Sequence, residues 1–307
     1  MFSFICSFAY TGCINAPRDN KYDPDNPDKA EMTGGACEPD GRIIAGANAD
    51  LMHDYNDEVV RSDTSDSSGS FYFDKIDPGI YRIHALAPHF SGVYTGPESL
   101  WGGTRLDGYR LYFTTFHFED DAEGAMPYGF SNITGRWAIA RDPSQANEHS
   151  APNVSRGANI GAYDPDPSLA IFRSKAQYPD LEVKLKVLSS SGSQWQTGIV
   201  FRYQDKSNYY FVKMAPDTAE IGFKKDNNIT IVADTSLTFL TETWYTLKIS
   251  CDSLFTSVCM NDSCIFRTYT FAYVFPDGSF GMLVSSREPG VTATVNFDDI
   301  FVDYKLQ

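Results

Sequence analysis

The stretch "DLEVKLKVLSSSGSQWQTGIVFRYQDKSNYYFVKMAPDTAEIGFKK" (residues 180–225) opens with Leu181, Val183, Leu185 and Val187 interleaved with Glu182, Lys184 and Lys186. A period of two puts the apolar side chains on one face and the charged ones on the other, which predicts a half-buried antiparallel strand. A Ser/Gly turn follows, and "TGIVFRYQD", "NYYFVKMA" and "AEIGFKK" read as three more strands joined by tight polar turns.

Downstream, "TWYTLKISCDSLFTSVCMNDSCIFRTYT" reads as a meander of three strands, and "GSFGMLVSS" and "TATVNFDDIFVDYKL" close the chain. Cys259 and Cys264 flank Asn261-Asp262, a two-residue hairpin turn closed by Met260 and Ser263. That register sets the cysteines opposite each other at a non-hydrogen-bonded pair, where Cα atoms approach to about 4.5 Å. A disulfide accepts this spacing, so a Cys259–Cys264 bridge and an oxidising compartment are expected. Cys37 and Cys251 read as buried thiols.

Upstream, residues 32–117 have the same texture. In "SDSSGSFYFDKIDPGIYRIHALAPHF", Ser68-Gly69 supplies a turn, Phe71 and Phe73 alternate inward, and Asp77-Pro78-Gly79 makes a second turn. Tyr81, Ile83 and Ala85 then alternate with Ile80, Arg82 and His84.

The whole composition agrees. Aromatic residues are 14% of a chain of 307, and Gly, Asn, Asp and Ser clusters punctuate it, which is an all-β pattern. A 42% hydrophobic content in a chain of this length can bury one large core or two ordinary ones, and two domains is the starting expectation. The formal charge of −15, with acids spread along the chain, argues against nucleic acid or an anionic lipid surface as partner. No apolar run reaches the roughly eighteen residues of a spanning helix.

At the start, "MFSFICSFAYTG" (residues 1–12) is apolar and aromatic, like the core of a secretory signal, although it lacks a basic n-region. Tyr10-Thr11-Gly12-Cys13 resembles the lipobox of bacterial lipoproteins, with Tyr10 where Leu is usual. The resemblance implies acylation of Cys13, which would then fasten the chain to a membrane by lipid alone. Residues 13–31, rich in Asp and Pro, read as a disordered extended tether.

Asp66, Gly69, Phe71, Phe73, Ile76, Pro78, Gly79, Tyr81, Ile83 and Ala85 resemble the hallmark of the carboxypeptidase regulatory-like domain. That family implies a small Ig- or transthyretin-like β-sandwich over residues 32–117, an accessory module without catalytic residues. Residues 198–203, 208–210, 243–245, 278–281 and 297–300 resemble the laminin-G-like or concanavalin A-like jelly roll, over residues 118–307.

The jelly-roll resemblance implies several sites. Trp195, Arg202, Tyr209 and Lys213 are the expected ligand-binding residues, since aromatic faces pack against sugar C–H groups while polar neighbours bond hydroxyls. Jelly rolls of this kind often tie their ends together with one ion. Glu119 and Asp120 open the domain and Asp298 and Asp299 close it, so together they are the candidate set for one structural calcium. No organic cofactor is implied. Glycan-cleaving relatives carry two carboxylates on one strand, whereas Glu182, Glu220 and Glu242 stand isolated here.

The expectation is a noncatalytic, secreted and lipid-anchored protein of the bacterial outer membrane or cell surface that binds a polysaccharide or a surface protein. Two alternatives remain at this point: a glycoside hydrolase or lyase, including the keto-disaccharide hydrolase type, and a structural component of an envelope assembly.

Overall fold

A computed structural model describes residues 20–304 apart from 24, 143–152, 160–165, 177–178, 253 and 270–273. Cys13 and the signal-like residues 1–12 lie outside the described residues. Every regular element described is a β-strand, and the chain divides into two compact units.

The first unit comprises the described residues up to Ala36 together with Ile44–Ala85 and Val93–Leu111. Its strands come from β1 (Ala30–Cys37), β2 (Asn48–His53), β3 (Val59–Thr64), β4 (Ser70–Ile76), β5 (Gly79–Ala87), β6 (Phe90–Tyr94), β7 (Glu98–Leu100) and β8 (Arg105–Tyr112). They form a β4-β1-β8 sheet and a second sheet in which β5, β2 and β3 are neighbours and β7 pairs with β5. The alternation read from sequence sets the core, with Phe71, Phe73, Tyr81, Ile83 and Ala85 buried.

Both turns are held by local bonds. Asp66 Oδ1 accepts from the Ser68 and Ser70 amides (2.8 and 3.0 Å), with Gly69 at φ +74. The Tyr81 hydroxyl donates to the Asp77 carbonyl at 2.8 Å across the second turn.

The described part of the expected tether is folded. Asn26 is buried; its Nδ2 donates to the Asn20 carbonyl at 3.0 Å, and its Oδ1 accepts from the Asp28 amide at 2.8 Å. Tyr22 stands edge-on to Trp101 at 4.8 Å. Side chains that bond their own backbone order this stretch without an apolar run, which composition alone does not reveal.

The second unit takes everything from Tyr112 onward, and also Cys37–Ile43 and Leu86–Gly92, two segments expected in the first domain. Glu38 explains part of this membership: its buried carboxylate accepts from Arg173, which also donates to the Tyr128 hydroxyl at 2.8 Å.

One sheet of this unit runs β10 (Phe130–Thr134), β13 (Ser168–Ala176), β22 (Gly278–Ser286), β15 (Trp195–Asp205), β16 (Asn208–Met214), β17 (Thr218–Lys225) and β18 (Asn228–Ser236). The other runs β21 (Ser263–Tyr269), β20 (Phe255–Met260), β19 (Tyr245–Cys251), β14 (Pro179–Ser190) and β23 (Ala293–Tyr304). β23 further pairs with β9 (Thr115–Phe116) and with β12 (Asn153–Ala158), and β12 pairs with β11 (Arg136–Arg141). Neighbouring strands are antiparallel throughout.

Leu181, Val183, Leu185 and Val187 of β14 are buried on the inner face, as are Ile199 of β15 and Met282 of β22. Gly198 lets strands approach closely, because a Cβ there would stand 2.0 Å from the Val212 carbonyl oxygen. Cys259 and Cys264 pair across the β20–β21 hairpin in a disulfide, with Asn261 and Asp262 both at positive φ in the turn. Cys37 and Cys251 are buried.

Candidate functional site

The structure does not bring Trp195, Arg202, Tyr209 and Lys213 into one groove. All four are buried, the most exposed at 2%. Trp195 packs edge-on to Phe239 at 5.6 Å, and Arg202 reaches the Phe275 carbonyl at 3.4 Å. Tyr209 and Lys213 share the other face of β15–β17, since they lie opposite Lys224 and Glu220 in register. Tyr209 belongs there to a cluster with Phe211, Val200, Leu169, Ile171 and Leu283. Strand alternation separates the set: residue spacing in β15 puts Trp195 on the opposite side from the Tyr209 stripe.

The carboxylates chosen for calcium are partly gathered. Asp299 Oδ2 lies 2.5 Å from Lys184 Nζ, and Glu119 Oε2 lies 2.5 Å from His117 Nδ1. Asp120 is used elsewhere, accepting from the His89 amide at 2.9 Å. Asp298 is fully buried, and its Oδ2 has no hydrogen-bond partner among the described residues. Burial first, then the charges of Asp299 and Glu119, push its carboxyl up to about 8. Burial lowers the His117 imidazole, but the bond to and charge of Glu119 more than offset it, leaving it above its usual value.

This donor set is not gathered around a divalent cation: Asp299 and Glu119 are engaged by Lys184 and His117, Asp120 by the His89 amide, and among the described residues no group of three or more His, Cys, Asp or Glu could hold a metal. Glu182 pairs with Lys248 at 3.2 Å, and Glu220, which lies opposite Asp234 in register, pairs with Arg287 at 2.6 Å.

An open groove lies instead on the outer face of β11, β12 and β23. Along β11, Trp137 and Ile139 point into the core, so Arg136, Ala138 and Ala140 point out. Register places Ala138 opposite Arg156, Arg136 opposite Ala158, and Ala158 opposite Thr294. The result is a groove of about 460 Å³ with a floor of alanines and walls of Asn132, Arg136, Arg156 and Thr294. Its volume falls in the range of small-ligand sites.

Two features make it rigid on one side. Arg156 donates through Nε to Asn296 Oδ1 (2.8 Å) and through Nη2 to the Arg141 carbonyl (3.2 Å). Asn296 in turn donates to Asp142 Oδ2 at 2.6 Å, and Lys186 Nζ lies 2.5 Å from the same oxygen. Arg136 is exposed, and its guanidinium has no partner among the described residues. Among the described residues that line the groove there is no carboxylate, histidine or thiol. In sequence this strand is "RWAIAR", whose small outward residues between two arginines carry no signal of a groove.

No protein-family model matches the sequence. No curated protein matches it. Among solved structures it is similar to the carbohydrate binding module CBM66 from Bacillus subtilis, at 15% identity and a TM-score of 0.46 over 57% of this chain and 95% of that one. It is similar also to the cellulose induced protein Cip1, at 14% identity and 0.44 over 61% and 95%. A third is the GH43 BlXynB protein from Bacillus licheniformis, at 14% identity and 0.46 over 73% of this chain and 51% of that one. Likenesses of this size carry nothing about ligand or reaction to this chain.

Proposed function

We propose that this protein is a noncatalytic carbohydrate-binding protein of a bacterial cell surface, anchored by an acylated Cys13, that takes a polysaccharide in the groove of Arg136 and Arg156. The observation that supports this reading is the groove's lining: hydrogen-bond donors over an alanine floor, with no carboxylate, histidine or thiol among the described residues that line it. Such a surface holds a sugar through its hydroxyl and ring oxygens and leaves the glycosidic bond intact. The net charge of −15 repels polyanions at long range, so the ligand is a neutral glycan.

Affinity electrophoresis through gels containing neutral β- and α-linked polysaccharides tests this. At least one should retard the wild type, and Arg136→Ala should weaken that retardation about tenfold, as expected for an unshared charged donor. Migration of the wild type unchanged in every gel refutes the reading.

A further inference from the structure

The first unit carries a groove of its own, about 530 Å³, on the outer face of the β4-β1-β8 sheet. Along β4, Phe71 and Phe73 face the core, so Ser70 and Tyr72 face out. Register sets Gly35 of β1 beside Ser70 and Thr33 beside Tyr72. Arg110 of β8 lies across Gly35, where an added Cβ would stand 2.8 Å from Nη1. The absent side chain is what lets the guanidinium lie flat on the sheet.

Each wall offers a different chemistry. Asp63 and Asp66 are fixed by backbone donors, with the Tyr72 amide on Asp63 Oδ2 at 2.7 Å and the Ser70 amide on Asp66 Oδ1 at 3.0 Å. Asp66 Oδ2 accepts nothing among the described residues, and Arg110 donates to nothing there. Tyr72 is 45% exposed and lines the groove.

The groove therefore asks for a ligand with donors for Asp66, acceptors for Arg110 and an apolar face for Tyr72. An anion would meet Asp63 and Asp66, a cation would meet Arg110, and an apolar ligand would strand all three polar groups without partners. A neutral sugar ring has alternating hydroxyls and a C–H face, and satisfies every wall. We infer that the first unit holds a second saccharide site, for a neutral sugar, built from Tyr72, Arg110 and Asp66. The inference stands on these residues alone and does not depend on the Arg136 groove.

The test is an NMR titration of the full chain, labelled at arginine Nε, with cellopentaose, xylopentaose, mannopentaose and maltopentaose in turn. One of the four should move the Arg110 Nε–H resonance. Tyr72→Ala should weaken that titration about tenfold while Tyr72→Phe retains it, and Arg136→Ala should leave it unchanged. An Arg110 resonance unmoved by all four sugars overturns the inference. So does a response of equal midpoint in Tyr72→Ala, or one abolished by Arg136→Ala alone, which would put the sugar only on the second unit.

Discussion

Asp298 is the residue whose chemistry departs furthest from its sequence context. Its carboxyl is held near 8 against an ordinary 3.8, so the folded chain keeps a proton that the unfolded chain releases. For a raised pKa the stabilisation is full below about pH 4 and is lost as pH climbs through 8. His117, also raised, adds in the same direction above its usual range. Urea denaturation of the second unit should therefore show lower stability at pH 9 than at pH 6, and Asp298→Asn should flatten that slope, gaining a few kcal/mol at pH 9 at about 1.4 kcal/mol per unit. Equal pH slopes in the two proteins would contradict this. The acids at both ends of the second domain were legible in the sequence, but the partners that neutralise them were not. Lys184 meets Asp299 through the β14–β23 register, whereas His117 stands only two residues from Glu119 and was missed in the sequence. The same limit hid the fate of Trp195 and Tyr209, because β15 and β16 are buried along both faces, polar Gln196, Thr197 and Lys213 included, and such a pattern does not say which face is covered.

Elements were easier to read than sites. The alternation in β14 and the glycine and aspartate turns around β4 and β5 were visible because period and turn chemistry are local. β11 carried less signal: the four residues between its arginines alternate bulky with small rather than apolar with polar, yet that strand forms part of the groove. The β20–β21 hairpin shows what a local reading achieves, since the Asn261-Asp262 turn and the facing cysteines are both present. Intact mass before and after reduction should differ by two hydrogens. Replacing both cysteines by serine should cost the second unit about 2 kcal/mol through loop-closure entropy for so short a loop, and should speed hydrogen exchange in β21. Unaltered exchange there would show that the bridge constrains nothing.

At the scale of the whole molecule, two β units were legible from composition and turn spacing, whereas their membership was not. Cys37–Ile43 and Leu86–Gly92 belong to the second unit although they sit within the first in sequence, and Glu38 joins Arg173 across 135 positions. Long-range pairs of this kind leave no periodic mark. The anchor proposed at Cys13 has its own outcome: a fatty-acid analogue fed to expressing bacteria should label the wild type and not Cys13→Ala, and equal labelling would remove the anchor without touching the binding claim. Binding without turnover is the central claim, and one experiment on one sample reads both halves. The wild type and Arg136→Ala are incubated with the polysaccharide that retards the wild type, and pull-down and reducing-end release are measured together. The wild type should co-sediment with the polymer and release no reducing ends, while Arg136→Ala stays largely in solution. Reducing ends that accumulate with the wild type, or co-sedimentation equal in Arg136→Ala, would contradict the claim.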